Sequence, residues 1–131
     1  MCGRSCCPRR WCTTATEGPG TAPTIWRAIS DDPAAAHAAL EAFGGRPVYV
    51  HAEWIPGGFV RNARLEVEGA YLRGGGPYRV ALRCAGDGWV RGEDLTHWTR
   101  DAAGRLAFAS FADADQRLRS TLELSLEPFP A

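Results

Sequence analysis

The hydrophobic pattern of this chain changes its period at Gly45. Before that glycine, apolar residues recur at spacings of four and three, the period of a helix with one buried face; they are Ala36, Leu40 and Phe43. The run from Ser30 to Pro33 offers N-cap oxygens and then a proline suited to the first helical position. Gly44 and Gly45 supply a left-handed stop. The pattern predicts one short amphipathic helix over residues 33 to 43.

After Gly45 the period is two, which indicates half-buried β-strands. We predict about six strands between residues 46 and 128, separated by turns rich in glycine, proline and aspartate. The segments are 48–54, 63–72, 78–84, 89–100, 106–111 and 118–127. Within the fourth segment, residues 93–98 also fit the start of a short helix capped by acids. The connections are short, so consecutive strands are expected to be hairpin partners in a meander.

These elements predict an α+β fold that is mainly antiparallel β. One helix of about eleven residues is too small to cover a whole face of such a sheet. The sheet therefore either curves over the helix or closes into a small lipocalin-like barrel, and pairing with a second copy of the chain, as a homodimer, is another way to cover it. We expect residues 25–131 to form a single domain and residues 1–24 to form a flexible tail rich in Cys, Gly and Pro.

Charge and hydropathy restrict the partners and the location of the protein. The 15 basic residues balance the 15 acidic ones, so the basic footprint typical of a nucleic-acid binder is missing. No apolar run approaches the roughly 18 residues that a membrane span requires. Five cysteines are an odd number and do not resemble a secreted disulfide framework. We expect no nucleic-acid partner, no membrane association and a cytoplasmic location.

Four cysteines lie close together near the N-terminus, at Cys2, Cys6, Cys7 and Cys12. Thiolates are natural ligands of zinc and of iron–sulfur clusters. However, structural metal sites usually present paired C-x2-C knuckles, and this stretch has neither such a pair nor a nearby histidine. We therefore predict no metal site and no cofactor.

The opening Met1-Cys2-Gly3-Arg4 resembles the start of the SRAP family. Members of that family use the cysteine that methionine removal exposes to capture abasic sites in DNA. The resemblance covers only these four residues, and it implies a DNA-capturing role for Cys2. The neutral net charge does not suit a DNA binder, so we do not adopt this function.

Three polar side chains share one face of the first predicted strand. Tyr49, His51 and Glu53 are spaced by two, so they point the same way, and the alternate residues of that strand are mostly apolar. A histidine beside a carboxylate can transfer protons near neutral pH. In an open sheet we expect this row to face solvent. In a closed barrel it would line the lumen, where it could bind a ligand or deprotonate a carbonyl substrate, and these residues are then the catalytic candidates.

Aromatic residues are frequent in the predicted sheet. Large aromatic surfaces usually belong to the core, and we expect that of the tryptophans in the strands. They can also line a pocket for an apolar or aromatic molecule. The candidate ligand-binding residues are Trp54, Tyr71, Tyr78, Trp89 and Trp98. A further group, Glu93, Asp94 and His97, converges only if that segment is not a plain strand.

Three functional hypotheses follow from this pattern. The first is a small binding protein that holds an apolar or aromatic ligand in a barrel or between sheet and helix. The second is a cofactor-free lyase, isomerase or cyclase in which His51 and Glu53 transfer protons. The third is a protein-interaction module, such as a bacterial immunity or accessory protein, that uses a strand edge or the charged rows of the second strand. Whether the protein is an enzyme stays open at this point.

Overall fold

The helix begins where the sequence predicts it, at Pro33, and ends at Glu41, two residues before the predicted end. The computed structural model describes residues 25–112 and 115–130, and in it helix α1 is Pro33–Glu41, preceded by a 3-10 turn at Ile29–Asp31. The Asp32 carboxylate caps the helix by accepting a hydrogen bond of 3.1 Å from the Ala35 N–H. Gly45 follows with a φ of 80°. The predicted tail, the cysteine cluster and the opening tetrapeptide lie outside the described residues.

The strands form one antiparallel sheet, which confirms the predicted α+β class. Its order is β1-β6-β7-β8-β2-β3-β4-β5. In the described residues the strands are β1 (Arg27–Ala28), β2 (Arg46–Trp54), β3 (Gly58–Gly74), β4 (Tyr78–Cys84), β5 (Gly88–Leu95), β6 (His97–Arg100), β7 (Leu106–Phe111) and β8 (Leu118–Ser125). The described part of the structure has two strands more than the six predicted. One is β1, which spans only two residues, and the other arises because the predicted segment 89–100 is interrupted at Thr96 and forms both β5 and β6. The alternative of a short helix over 93–98 is wrong.

The sheet is curved and open, and the predicted meander holds only in two parts. Strands β2 to β5 and β6 to β8 are consecutive neighbours, but β5 does not pair with β6, and β8 returns to pair with β2. Near Asp94, whose φ is 56°, the chain stops pairing with β4 and begins to pair with β7. The first contact with β7 is a hydrogen bond from the Thr96 N–H to the Ala109 carbonyl. Strands β1 and β5 are therefore edges, and the lipocalin-like barrel does not form.

The inner face of the sheet packs on the helix as an apolar core. Its fully buried side chains include Ile29, Leu40, Val48, Leu82, Leu106, Phe108 and Leu124. Cys84 lies in the same core, where burial, and secondarily the charge of Glu68, raise the pKa of its thiol. These side chains form one hydrophobic core cluster. No helix among the described residues is long and apolar enough to cross a membrane.

The segment after β8 folds back against the outer face of the sheet. Asn62, in a bulge of β3 with a φ of 56°, accepts a hydrogen bond of 2.7 Å from the Phe129 N–H and donates one of 3.0 Å to the Phe129 carbonyl. Arg61 donates to the Pro130 carbonyl at 2.8 Å. Phe129 is only 3% exposed. The C-terminal segment therefore covers part of the face that lies opposite the core.

Candidate functional site

A groove with two aromatic and three arginine side chains lies on the outer face of β3, β4 and β5. In the strand register Tyr71 lies opposite Ala81, and Ala81 lies opposite Arg91. The small Ala81 side chain is the floor, because larger side chains surround it. We call this site the aromatic–arginine groove; it outlines a volume of about 630 Å³ and is lined by Tyr71, Arg73, Arg79, Ala81, Trp89 and Arg91.

Tyr71 reaches this face because of a bulge in β3. The simple alternation of the sequence places Tyr71 beside Val67, but the register shifts between Val67 and Gly69 and turns Tyr71 to the outer face. The phenol lies over Gly69, where any β-carbon would overlap it. The Tyr71 and Trp89 rings are 6.4 Å apart between centroids and tilted by 37°. Trp89 is 56% exposed, so its ring is available to a ligand.

The groove carries a net positive charge. Arg79 and Arg91 both donate to Glu93, at 3.0 and 2.9 Å. The hydrogen bond from Arg79, and then the charges of both arginines and the bond from Arg91, hold the pKa of Glu93 below its usual value. Arg73 lies 5.4 Å from the centre of the Tyr71 ring and makes no ion pair with a described residue. Three guanidinium groups therefore face a single carboxylate.

The three arginines are not among the site residues predicted from the sequence, although the sequence contains a signal for them. The Gly86-Asp87-Gly88 turn fixes the pairing of β4 with β5, and that pairing places Arg91 beside Ala81. Arginines at alternate positions of adjacent strands lie on one face. The bulge at Gly69 was the missing step that brings Tyr71 to the same face.

The polar row of β2 is buried, and the expectation that it faces solvent is wrong. His51 is 0% and Glu53 3% exposed, while Tyr49 is half-buried on the same face. His51 Nε2 and Glu53 Oε1 are 3.7 Å apart. The row lies on the outer face, opposite the core, so it lines no lumen. It is covered because the rings of Phe59 and Phe129 both lie 6.1 Å from the His51 ring, between centroids.

Strand β8 adds further polar groups to this buried row. Glu123 lies opposite His51, and Thr121 lies opposite Glu53. Both are buried, at 6% and 3% exposed, and the Thr121 hydroxyl has no hydrogen-bond partner within the described ranges. The same part of the chain contains no group of three or more His, Cys, Asp or Glu side chains arranged to hold a metal ion.

The remaining predicted aromatic residues do not join the groove. Trp98 is in the core at 5% exposed, as expected for a strand tryptophan, but Trp54 and Trp89 are 49% and 56% exposed, so the core prediction is wrong for both. Trp54 is the last residue of β2, and at this end of the strand the side chain is no longer covered by the core. Tyr78 is buried at the start of β4.

The predicted group of Glu93, Asp94 and His97 does not come together at one site. Glu93 pairs with Arg79 and Arg91 beside the aromatic–arginine groove, whereas His97 lies in β6. The His97 Nδ1 atom is 2.7 Å from the Thr96 hydroxyl, and its ring meets the edge of Phe111. These residues separate because the chain stays extended and changes its pairing partner between β5 and β6.

Residues 54–129 match the model of a family described as "Protein of unknown function (DUF1806)". The chain is also 34% identical over 106 residues to the uncharacterized protein YojF of Bacillus subtilis (strain 168), covering 70% of this chain and 90% of YojF. The chain belongs to the DUF1806 family. The crystal structure of Bacillus subtilis YojF is similar, with a TM-score of 0.68 and 33% sequence identity over 82% of this chain and 99% of YojF. The DUF1806 match contains every residue of the aromatic–arginine groove, while the polar row of β2 precedes it.

Proposed function

We propose that this protein binds a small planar aromatic molecule that carries a negative charge, and that it does so in the aromatic–arginine groove. The observation that supports this function is the exposed Trp89 ring beside Tyr71, with Arg73, Arg79 and Arg91 around the same floor. Aromatic side chains offer faces for stacking, and guanidinium groups bind carboxylate, sulfonate or phosphate oxygens through paired hydrogen bonds. Together they select a ligand with both a flat ring and an anionic group.

The size of the groove suits one small molecule. Its volume of about 630 Å³ falls within the range of small-ligand sites. The floor at Ala81 lets a ring approach the sheet between the aromatic pair and the arginines. Because the groove is open, the arginines keep part of their hydration, which weakens charge interactions. We expect dissociation constants on the order of 10 μM rather than nanomolar ones.

A pair of fluorescent probes that differ only by a charged group tests this function. The first is 8-anilino-1-naphthalenesulfonate, and the second is N-phenyl-1-naphthylamine, which has the same rings without the sulfonate. We expect the sulfonate to bind about tenfold more tightly at low salt, and this difference to shrink as salt screens the arginines. Equal affinity for the two probes, or no saturable binding of the sulfonate, would contradict the proposal.

Glu93 competes with such a ligand for two of the arginines. The carboxylate is ionised at neutral pH and pairs with both Arg79 and Arg91, and because its pKa is lowered, this pairing persists to more acidic pH than it would at the usual pKa of a glutamate. The substitution Glu93→Gln removes that charge, and we expect it to tighten sulfonate binding about three- to tenfold at pH 7. In the native protein, protonation of Glu93 should likewise free Arg79 and Arg91 and tighten sulfonate binding as the pH falls through the folded-state pKa of Glu93.

The matched control for this substitution is Glu66→Gln. Glu66 pairs with Arg64 at 2.9 Å on β3 and does not line the groove. Its replacement should leave the titration unchanged. If Glu93→Gln weakened sulfonate binding, or if both substitutions tightened it equally, the competition described here would be wrong.

Proton transfer by His51 and Glu53 is a second candidate function. The 3.7 Å separation of His51 Nε2 and Glu53 Oε1 favours it. The test is deuterium incorporation next to the carbonyl of small ketones in D2O, followed by proton NMR. Exchange that His51→Gln and Glu53→Gln each abolish would support this activity. A rate equal to that of buffer alone would reject it.

A further inference from the structure

Two cavities lie along the open side of the sheet, where β5 separates from β7 and β8. The first has a volume of about 290 Å³ and is bounded by Trp54 at one end. The second has a volume of about 530 Å³ and is bounded by Tyr78. Asp94, Leu95, Ser110 and Arg119 line both cavities. We call the two together the seam cleft, because they share these walls.

The seam cleft brings groups of opposite charge to one space. Asp94 lies near the end of β5, and Arg119 lies near the start of β8. Neither makes an ion pair with another residue in the described ranges, and both are exposed. Two charges of opposite sign that face one cavity without meeting each other match a ligand that itself carries both charges.

A serine hydroxyl lines both cavities together with these two charges. Ser110, near the end of β7, and Ser120, near the start of β8, are opposite each other on the inner face. Further along the strands the same face carries Phe108 and Leu122, so the sequence changes from apolar to polar where the cleft begins. Ser110 is only 3% exposed as a residue, yet it lines both cavities. Its hydroxyl can therefore contact a ligand held there.

The backbone at Asp94 is also unusual. Its φ of 56° is in the left-handed region, which non-glycine residues seldom occupy and which costs about 1 kcal/mol or more. Near this residue the chain passes from β5, which pairs with β4, to β6, which pairs with β7, and Asp94 lines the cleft. Aspartate and asparagine tolerate this conformation better than most residues.

We propose that the seam cleft is a second binding site, and that its ligand is a small zwitterion of the free α-amino acid class. The ligand carboxylate pairs with Arg119, the ammonium group pairs with Asp94, and the Ser110 hydroxyl accepts or donates a hydrogen bond between them. The ligand side chain lies against Trp54 or Tyr78. The first cavity shares Arg91 with the aromatic–arginine groove, but the lining of the groove contains no acidic side chain that could bind an ammonium ion.

Thermal melting with each of the twenty common amino acids at millimolar concentration tests this proposal. We expect at least one of them to raise the melting temperature, because a ligand that binds only the folded state stabilises it. For that amino acid, the N-acetyl and the carboxamide derivatives should each bind at least about tenfold more weakly, since each lacks one charge. No shift with any amino acid, or equal binding of the blocked derivatives, would overturn it.

Substitutions locate the effect in the seam cleft. Asp94→Asn keeps the backbone conformation and removes the charge, and Arg119→Gln removes the opposite charge; both side chains are exposed, so both variants should fold. Each is expected to lose the response to the amino acid and to keep the sulfonate binding of the aromatic–arginine groove. Arg117→Gln is the control, because Arg117 precedes β8 and lines neither cavity. An undiminished response in Asp94→Asn or Arg119→Gln would contradict the assignment.

Discussion

Replacing Trp89 by alanine is expected to lower the affinity for 8-anilino-1-naphthalenesulfonate by about 30-fold, which corresponds to about 2 kcal/mol. The Trp89 ring is 56% exposed and lies beside Tyr71, so it offers a stacking surface to a ligand. Its removal leaves the arginines but takes away a large apolar contact of the groove. The free energy of unfolding should change little, because this side chain contributes little to the core.

The control for Trp89→Ala is Trp54→Ala. Trp54 is also about half exposed, at 49%, but it lies at the end of β2 and does not line the groove. Both variants are titrated with the sulfonate by fluorescence, and only Trp89→Ala should lose affinity. Equal losses in the two variants would show that the probe binds exposed tryptophan without using the groove.

Replacing Phe129 by alanine is expected to lower the free energy of unfolding by about 3 to 4 kcal/mol. The ring is 3% exposed, lies 6.1 Å from the His51 ring between centroids, and has Arg105 5.6 Å from its centre. Loss of the ring leaves a cavity and also exposes the buried polar row of β2 to water. Urea unfolding monitored by circular dichroism measures the change.

Leu126→Ala is the matched control in the same C-terminal segment. Leu126 is 49% exposed, so its truncation should cost less than about 1 kcal/mol. If Phe129→Ala were no more destabilising than Leu126→Ala, the C-terminal segment would not be part of the packed structure, and the burial of His51 and Glu53 would need another cause.

The sequence predicts those elements that are determined by residues close together along the chain. Helix α1 begins at Pro33, as its capping residues indicate, and β4 spans Tyr78–Cys84, as its alternation indicates. Both are set by a local pattern in which one face is buried. The antiparallel class followed from the short connections between strands.

The position of Tyr71 shows where alternation alone fails. A single bulge reverses the facing of every later residue in the strand, and the alternation places Tyr71 on the wrong face without it. A glycine inside a strand pattern is a recognised sign of a bulge, so Gly69 was a usable signal. Counting it would have placed Tyr71 beside Ala81 and Arg91.

The burial of His51 and Glu53 depends on contacts that no local pattern contains. Phe129 covers His51 from far along the chain, and it is fixed by the hydrogen bonds of Asn62. In the same way, the pairing of β8 with β2 and the separation of β5 from β6 are long-range features. These two long-range features keep the sheet open and create the seam cleft.

The most direct test of the aromatic–arginine groove is a nitrogen-15 NMR titration that follows the indole N–H signals of the tryptophans, with the Trp89 signal assigned from Trp89→Phe. On addition of 8-anilino-1-naphthalenesulfonate, binding in the groove predicts that the Trp89 signal moves with saturation while the signals of Trp54 and the buried Trp98 stay in place. A stationary Trp89 signal, with saturable shifts at Trp54 or elsewhere, would contradict the assignment of ligand binding to this groove.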